Sequence, residues 1–272
     1  MRNRAAQTKV DHYGSQYGNF ESDILSAIRR DAFGEDIGQT GWTTSDEQDL
    51  FISWLRLTAG KRLLDIACGS GRPALRIAQK TGCHVTGVDI HKDGVMNAQR
   101  HADHLGLSEA SSFICADAST TLPFEDETFN AIICIDAINH LPDRHAVFEE
   151  WRRLLKPSGV LVFTDPVVIT GPMTNQEMTI RSSIGFFLFV PTGMNERILG
   201  DCGFDVDRAM DRTENMANNA RRWLKARSQQ EKQLRTLEGD DNYHGQQTFF
   251  ETAHALAAER RLSRFAYMAR RA

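Results

Sequence analysis

Two aspartates bracket a glycine-bearing loop near residue 70. In LLDIACGSGRPALRIAQKTGCHVTGVDI, Leu63 to Ile90, one apolar run ends at Asp65, a loop carries Gly69 and Gly71, and a second apolar run ends on Asp89. Glycine lacks a Cβ and tolerates positive φ, so such a loop can turn sharply and let a ligand approach its backbone. Pro73 suits a first helical turn, whose N–H groups would face whatever rests on the loop. Asp89, at the end of its run, can accept hydrogen bonds from two ribose hydroxyls. Farther on, Asn139, His140 and Asp165 follow two more apolar runs. Histidine is suited to take a proton from a hydroxyl or amine near neutral pH. A nearby carboxylate could orient its ring and stabilise its charged form. The chemistry on offer is a nucleotide-sized cofactor gripped at the loop, with a proton acceptor across from it.

Read literally, GSGRPA matches G-x-G-x-x-A, the dinucleotide fingerprint of an NAD-dependent oxidoreductase, or simply a strand-to-helix turn. Asp65 weighs against the dinucleotide, because an acid at the strand end repels a pyrophosphate. A cofactor with a cationic end tolerates that acid and can use it. S-adenosylmethionine carries a sulfonium and an ammonium and no phosphate.

The elements that must position these residues alternate. Strands are expected at 62–67, 84–89, 112–116, 131–136 and 160–165, with helices from Pro73, before Gly106 and over 144–155. Strands written as continuous apolar runs and separated by helices form a parallel sheet covered on both faces. Residues 1–60 read as an N-terminal helical cap, and 61–272 as the cofactor-binding domain. That domain carries an apolar, mostly helical insert at 166–200, a further strand from Gly203, a helical segment at 215–261 and a last strand from Ser263.

The composition excludes several classes. The chain has 272 residues with 41% hydrophobic and 25% charged, which is globular. A net charge of −4 gives no basic footprint for nucleic acid. No run of 18 apolar residues exists to span a membrane, and the first residues have no apolar core for a secretory signal. Five cysteines without a CxxC pair fit reduced thiols in a cytoplasm better than disulfides or a metal site.

LLDIACGSG, VTGVDI, CADAST, FNAIICIDAINHL and LKPSGVLVFTDP, in this order over Leu63 to Pro166, resemble the successive motifs of class I S-adenosylmethionine-dependent methyltransferases. The likeness is to the small-molecule branch, which includes sarcosine/dimethylglycine, phosphoethanolamine, quinone-ring and sugar O-methyltransferases. It implies a Rossmann-like α/β fold, with a seven-stranded, mostly parallel sheet whose last strand is antiparallel. It also implies that Asp65 and the loop Ala67–Gly71 hold the methionine end, Asp89 the ribose, and Ile90 the side of the adenine. Asp117 would accept from the adenine amino group beside the Ala118 N–H, and Ile135 would touch the cofactor through its backbone. Ala67 departs from the pattern, standing where the family usually has the first glycine of the loop.

The same resemblance places His140 and Asp165 where some sugar O-methyltransferases keep a catalytic histidine and aspartate; the alternative is that His140 lines the pocket. Trp42 and Gln39 in GEDIGQTGWTT, with Tyr13 and Tyr17 in HYGSQYG, would fold over the cofactor and acceptor; the alternative for the two tyrosines is an ordinary aromatic anchor. Arg181, the one cation in the apolar insert, could bind a substrate carboxylate or face solvent. The implied activity is methyl transfer to oxygen, nitrogen or carbon of a small molecule, releasing S-adenosylhomocysteine. The alternatives are cyclisation or rearrangement on the same cofactor, and cofactor binding without catalysis. A homodimer is compatible with the sequence.

Overall fold

The computed structural model describes residues 10–272; the start of the expected 1–60 cap, residues 1–9, lies outside the described residues. Three helices come first: α1 (His12–Gly18), α2 (Asp23–Phe33) and α3 (Ser45–Leu55). Asp11, Ser22 and Thr44 start them, each side chain accepting a first-turn N–H. The alternation follows: β1 (Arg62–Ile66), α4 (Arg72–Thr81), β2 (His84–Asp89), α5 (Lys92–His104), β3 (Ser111–Cys115) and β4 (Phe129–Cys134). A 3-10 turn at Ile138–His140 leads to α6 (Arg144–Leu154) and β5 (Leu155–Ile169). Then come α7 (Asn175–Arg181), β6 (Val190–Pro191), α8 (Met194–Asp201) and β7 (Phe204–Asp211). The chain ends with α9 (Thr213–Gln229), α10 (Glu231–Glu238), α11 (Asp240–Ala258) and β8 (Leu262–Arg271).

The strands run in the order β3-β2-β1-β4-β5-β8-β7. β1 to β5 pair in parallel, and β8 lies antiparallel between β5 and β7. These are the seven strands that the motifs imply, with the last one reversed; β6 adds two residues beside the end of β5. Phe148 and Trp151 of α6 pack on one sheet face, and Phe51 and Trp54 of α3 with Leu75 of α4 on the other. The carboxyl ends of β1, β2 and β4 therefore share one edge, where chain order reverses between β1 and β4. Ligands bind at such switch points.

A third apolar cluster joins the two ends of the chain. Leu25, Ile28 and Phe33 of α2 pack with Trp42 against Trp223 of α9 and Phe249 and Phe250 of α11. Residues 166–200 differ from expectation. β5 does not stop at Asp165, because the buried, branched Val167 and Val168 continue the ladder, with Val168 opposite Ser263. Residues 182–189 form no helix; Ile184 and Phe187 instead drop into the aromatic cluster. No helix among the described residues is long and apolar enough to cross a membrane.

Candidate active site

A cavity of about 410 Å³ opens at the carboxyl edge of the sheet. Ala67, Asp89, Ile90, Asp117, Ala118 and Ile135 line it. The loop after β1 takes left-handed φ at Ala67 (58°), Gly69 (54°) and Gly71 (71°). A Cβ at Gly71 would sit 2.4 Å from the Ala98 Cβ, and one at Gly69 2.5 Å from the Tyr17 hydroxyl, so glycine is required at both. Asp89 Oδ2 accepts the Gly69 N–H at 2.8 Å and Oδ1 the His91 N–H at 2.7 Å. This carboxylate ties β2 to the loop. Asp65 is buried beneath, and burial, with the Asp89 charge adding to it, pushes its pKa up to about 8. Asp117 Oδ1 accepts from the Ser119 N–H (2.9 Å) and hydroxyl (2.7 Å), which shapes the loop that lines the cavity. Ile90 is 66% exposed at the rim, an apolar surface for a flat ring to cover.

Across the cavity stands His140. Its Nδ1 lies 3.0 Å from the Phe186 carbonyl and its Nε2 2.7 Å from the Tyr13 hydroxyl. A carbonyl only accepts, so Nδ1 carries the proton, Nε2 holds the lone pair, and Tyr13 donates to it. Burial lowers the His140 pKa to about 4 and keeps the ring neutral. The expected pairing of His140 with Asp165 is not made. Asp165 is fully buried and accepts from Arg144 Nη1 at 2.7 Å, Asn195 Nδ2 at 2.9 Å and the Val167 N–H at 3.1 Å. Arg144 and Asn195 absorb its charge within the fold.

Trp42 and Gln39 also depart from expectation. Trp42 faces Phe249 and Phe250 at 6.4 and 6.0 Å between ring centroids and lines a second, smaller chamber beyond His140 rather than the cofactor cavity. The Gln39 amide is used locally, accepting the Ile37 N–H at 2.8 Å and donating to the Glu35 carbonyl at 3.0 Å. Arg181 is not solvent-facing but fully buried, and it lines the smaller chamber with Asn139. Tyr17 lines the larger cavity, its ring stacked 6.2 Å from Tyr13.

A family model described as "Methyltransferase domain" matches residues 57–199, more than half of the chain. The chain belongs to the class I S-adenosylmethionine-dependent methyltransferases. This methyltransferase is 32% identical over 164 residues to the sterol 24-C-methyltransferase ERG6B of Gibberella zeae, covering 57% of the chain and 42% of that protein. It is 36% identical over 168 residues to the 27-O-demethylrifamycin SV methyltransferase of Amycolatopsis mediterranei, covering 58% and 60%. The match thus spans between about two fifths and three fifths of these relatives' length. The solved structure of the cyclopropane synthase MmaA2 from Mycobacterium tuberculosis superposes with a TM-score of 0.80 at 17% identity, over 98% of this chain and 100% of that one. That likeness concerns the fold.

Tyr13, in the segment expected to fold over the opening, lies on a short helix that the fold brings to His140. Two further residues beside the cavity escape a reading of the sequence. Asp136 holds a left-handed φ of 54° just past β4, and strained backbone of this kind concentrates at functional sites. It lines both the cavity and the chamber. Arg264, fully buried at the start of β8, donates to Asp136, to both Glu47 oxygens at 2.8 Å and to Thr43 Oγ1 at 2.7 Å. The available signals were Asp136 at a strand end, as with Asp65 and Asp89, and a charge at an inward position of the apolar strand SRFAYM.

Proposed function

We propose that the protein transfers the methyl group of S-adenosylmethionine to a hydroxyl of a small molecule, with His140 as the base and Tyr13 as its relay. The observation that carries this reading is the Nε2 lone pair of His140 facing the Tyr13 hydroxyl at the mouth of the cavity. The residues suit the cofactor. Asp65 is a buried acid for the ammonium, Asp89 an acceptor for the ribose diol, and Ile90 and Ala118 are apolar contacts for the adenine. Tyr17 covers the loop from above.

When bound, the cofactor supplies a methyl on a cationic sulfur whose charge vanishes as the methyl leaves with the C–S electrons staying on sulfur. Tyr13 passes its proton to His140 Nε2 while taking the proton of the acceptor hydroxyl. Burial keeps the Tyr13 phenolate unfavourable, so the two transfers go together. His140 would gain the charge that the sulfonium gives up, so the net charge of the buried site would stay constant. Asp136 and the aromatic cluster shape the acceptor side.

Calorimetry and product analysis test this reading. S-adenosylhomocysteine should bind far more tightly than NAD, and Asp89→Ala should weaken it about 30-fold through the loss of charge-assisted hydrogen bonds. With hydroxylated small molecules and S-adenosylmethionine, the products should be a methyl ether and S-adenosylhomocysteine. His140→Ala and Tyr13→Phe should slow single-turnover methylation by about 10²–10⁴-fold without weakening cofactor binding. Methylthioadenosine as the product, or wild-type rates in both variants, would overturn it.

A further inference from the structure

Among the described residues four arginines are fully buried: Arg29, Arg181, Arg227 and Arg264. Three have carboxylate partners. Arg29 pairs with Asp36, Arg227 with Glu238, and Arg264 with both Glu47 and Asp136. Arg181 is the exception. Its Nε and Nη1 have no hydrogen-bond partner among the described residues. Rings surround it instead, with Phe249, Phe187 and Trp42 at 4.5, 5.3 and 5.9 Å from the guanidinium carbon. Cation–π contact holds the group in place but does not satisfy its N–H donors.

A second unsatisfied group stands in the same chamber. Asn139 is 1% exposed, and neither its amide oxygen nor its amide nitrogen has a partner among the described residues. The chamber that Arg181 and Asn139 line measures about 30 Å³. A water needs roughly 10–15 Å³ on this scale, so about two oxygen atoms fit. That is the size of a carboxylate and too small for a phosphate. His140 borders the chamber, with Phe187 between it and Arg181, its ring 4.9 Å from the imidazole.

We propose that Arg181 and Asn139 bind a carboxylate of the acceptor, which makes the substrate a hydroxy acid. This rests on the methyltransferase reading above and names its substrate class. The charge of Arg181 is left open for the substrate to close. Arg181 supplies charged N–H donors, the strongest partners for a carboxylate. The Asn139 amide nitrogen supplies another, and the chamber walls keep water from competing. The acid then lies beyond Phe187, with the hydroxyl toward Tyr13 and His140.

The 272-residue chain loaded with S-adenosylhomocysteine is titrated with benzoate and with benzamide, which share a shape and differ in charge. Benzoate should bind at least about tenfold more tightly, the margin expected of a charge-assisted pair. Arg181→Met should abolish the preference, Arg181→Lys should keep part of it, and Asn139→Leu should weaken benzoate several-fold. None of the three should change the affinity for S-adenosylhomocysteine. Arg181→Met should melt no lower than wild type, because the charge it removes has no partner in the fold. Equal binding of benzoate and benzamide, or binding of neither, overturns the proposal while leaving the methyltransferase reading intact. A loss of S-adenosylhomocysteine affinity in Arg181→Met also overturns it, by giving Arg181 to the carboxylate of the cofactor. A wild-type chain that binds no S-adenosylhomocysteine overturns both.

Discussion

Arg264 and Asp136 meet inside the protein across 128 positions of sequence: Arg264 Nε donates to Asp136 Oδ1 at 2.6 Å and Nη2 to Oδ2 at 3.2 Å. Asp136 Oδ2 also accepts the Trp42 N–H at 2.7 Å. Three separate parts of the chain are thus fixed at one carboxylate beside the cavity. Its left-handed backbone is held from outside.

Arg264→Met should be severely destabilising. It leaves the buried Asp136 and Glu47 carboxylates without their shared cation. Breaking a buried pair from one side costs about 3–5 kcal/mol. Chemical denaturation measures this directly. A variant within 1 kcal/mol of wild type would show that water or Arg212, which also donates to Glu47, replaces the lost charge.

Binding of S-adenosylhomocysteine should release protons. Asp65 titrates near pH 8 in the free protein, so it is mostly protonated at pH 7. An ammonium beside it favours the carboxylate and expels that proton. Calorimetry at pH 7 in buffers of different ionisation enthalpy should show up to about one proton released per site, and Asp65→Asn should abolish the release. Because the folded pKa is raised, Asp65 favours the fold at low pH, and that contribution is lost as pH rises from about 4 to about 8. Asp65→Asn should therefore stabilise the ligand-free protein at pH 8.

His140 should make the fold acid-sensitive. Its folded pKa, near 4, lies below the unfolded value of about 6.5. The neutral ring therefore stabilises the fold above pH 6.5, and this is lost as pH falls towards 4. At pH 5 the loss from this one site is roughly 2 kcal/mol. His12, buried and also lowered to about 4, adds to it. Denaturation midpoints at pH 7 and pH 5 should converge in part for His140→Gln, and fully parallel curves would refute the assignment.

Ala67→Gly should stabilise the protein. Ala67 stands at φ 58°, where a Cβ costs roughly 1–2 kcal/mol. Glycine removes that cost but loosens the unfolded chain, so a net gain of about 0.5–1 kcal/mol is expected. Thermal denaturation reports it, and cofactor affinity should hold. A fall in melting temperature would mean that the methyl group packs usefully against the cavity wall.

The loop side of the cavity was legible because it is local. Asp65, Ala67, Gly69, Gly71 and Asp89 fall within one strand–loop–helix–strand unit whose geometry follows from periodicity and glycine chemistry. Across the cavity only the histidine was legible. Asp165 follows the next strand just as the pattern suggests, yet Arg144 and Asn195 claim it, and such competition between side chains leaves no trace in spacing. Tyr13, Arg181 and Arg264 reach the site from a short helix, the insert and the last strand. Their placement depends on how α2, α9 and α11 share one aromatic core, which no window of sequence describes. The insert misled for a related reason: Val167 and Val168 are as apolar as a helix face, and only their partners on β8 make them strand.

Helix α1 spans just seven residues, yet it meets both halves of the site. Tyr17 rests on the Gly69 loop, its carbonyl accepting from Asn97 at 2.9 Å, while one turn away Tyr13 holds His140. His12 and Ser15 fasten the same helix to Gln246 and Glu238. A rigid element this short cannot release one half and keep the other. On the methyl-transfer reading proposed above, exchange of the spent cofactor and departure of the methylated product should become a single kinetic event. The enzyme should then show a pre-steady-state burst followed by slow turnover, with a steady rate that tracks how fast α1 detaches rather than how fast the methyl moves.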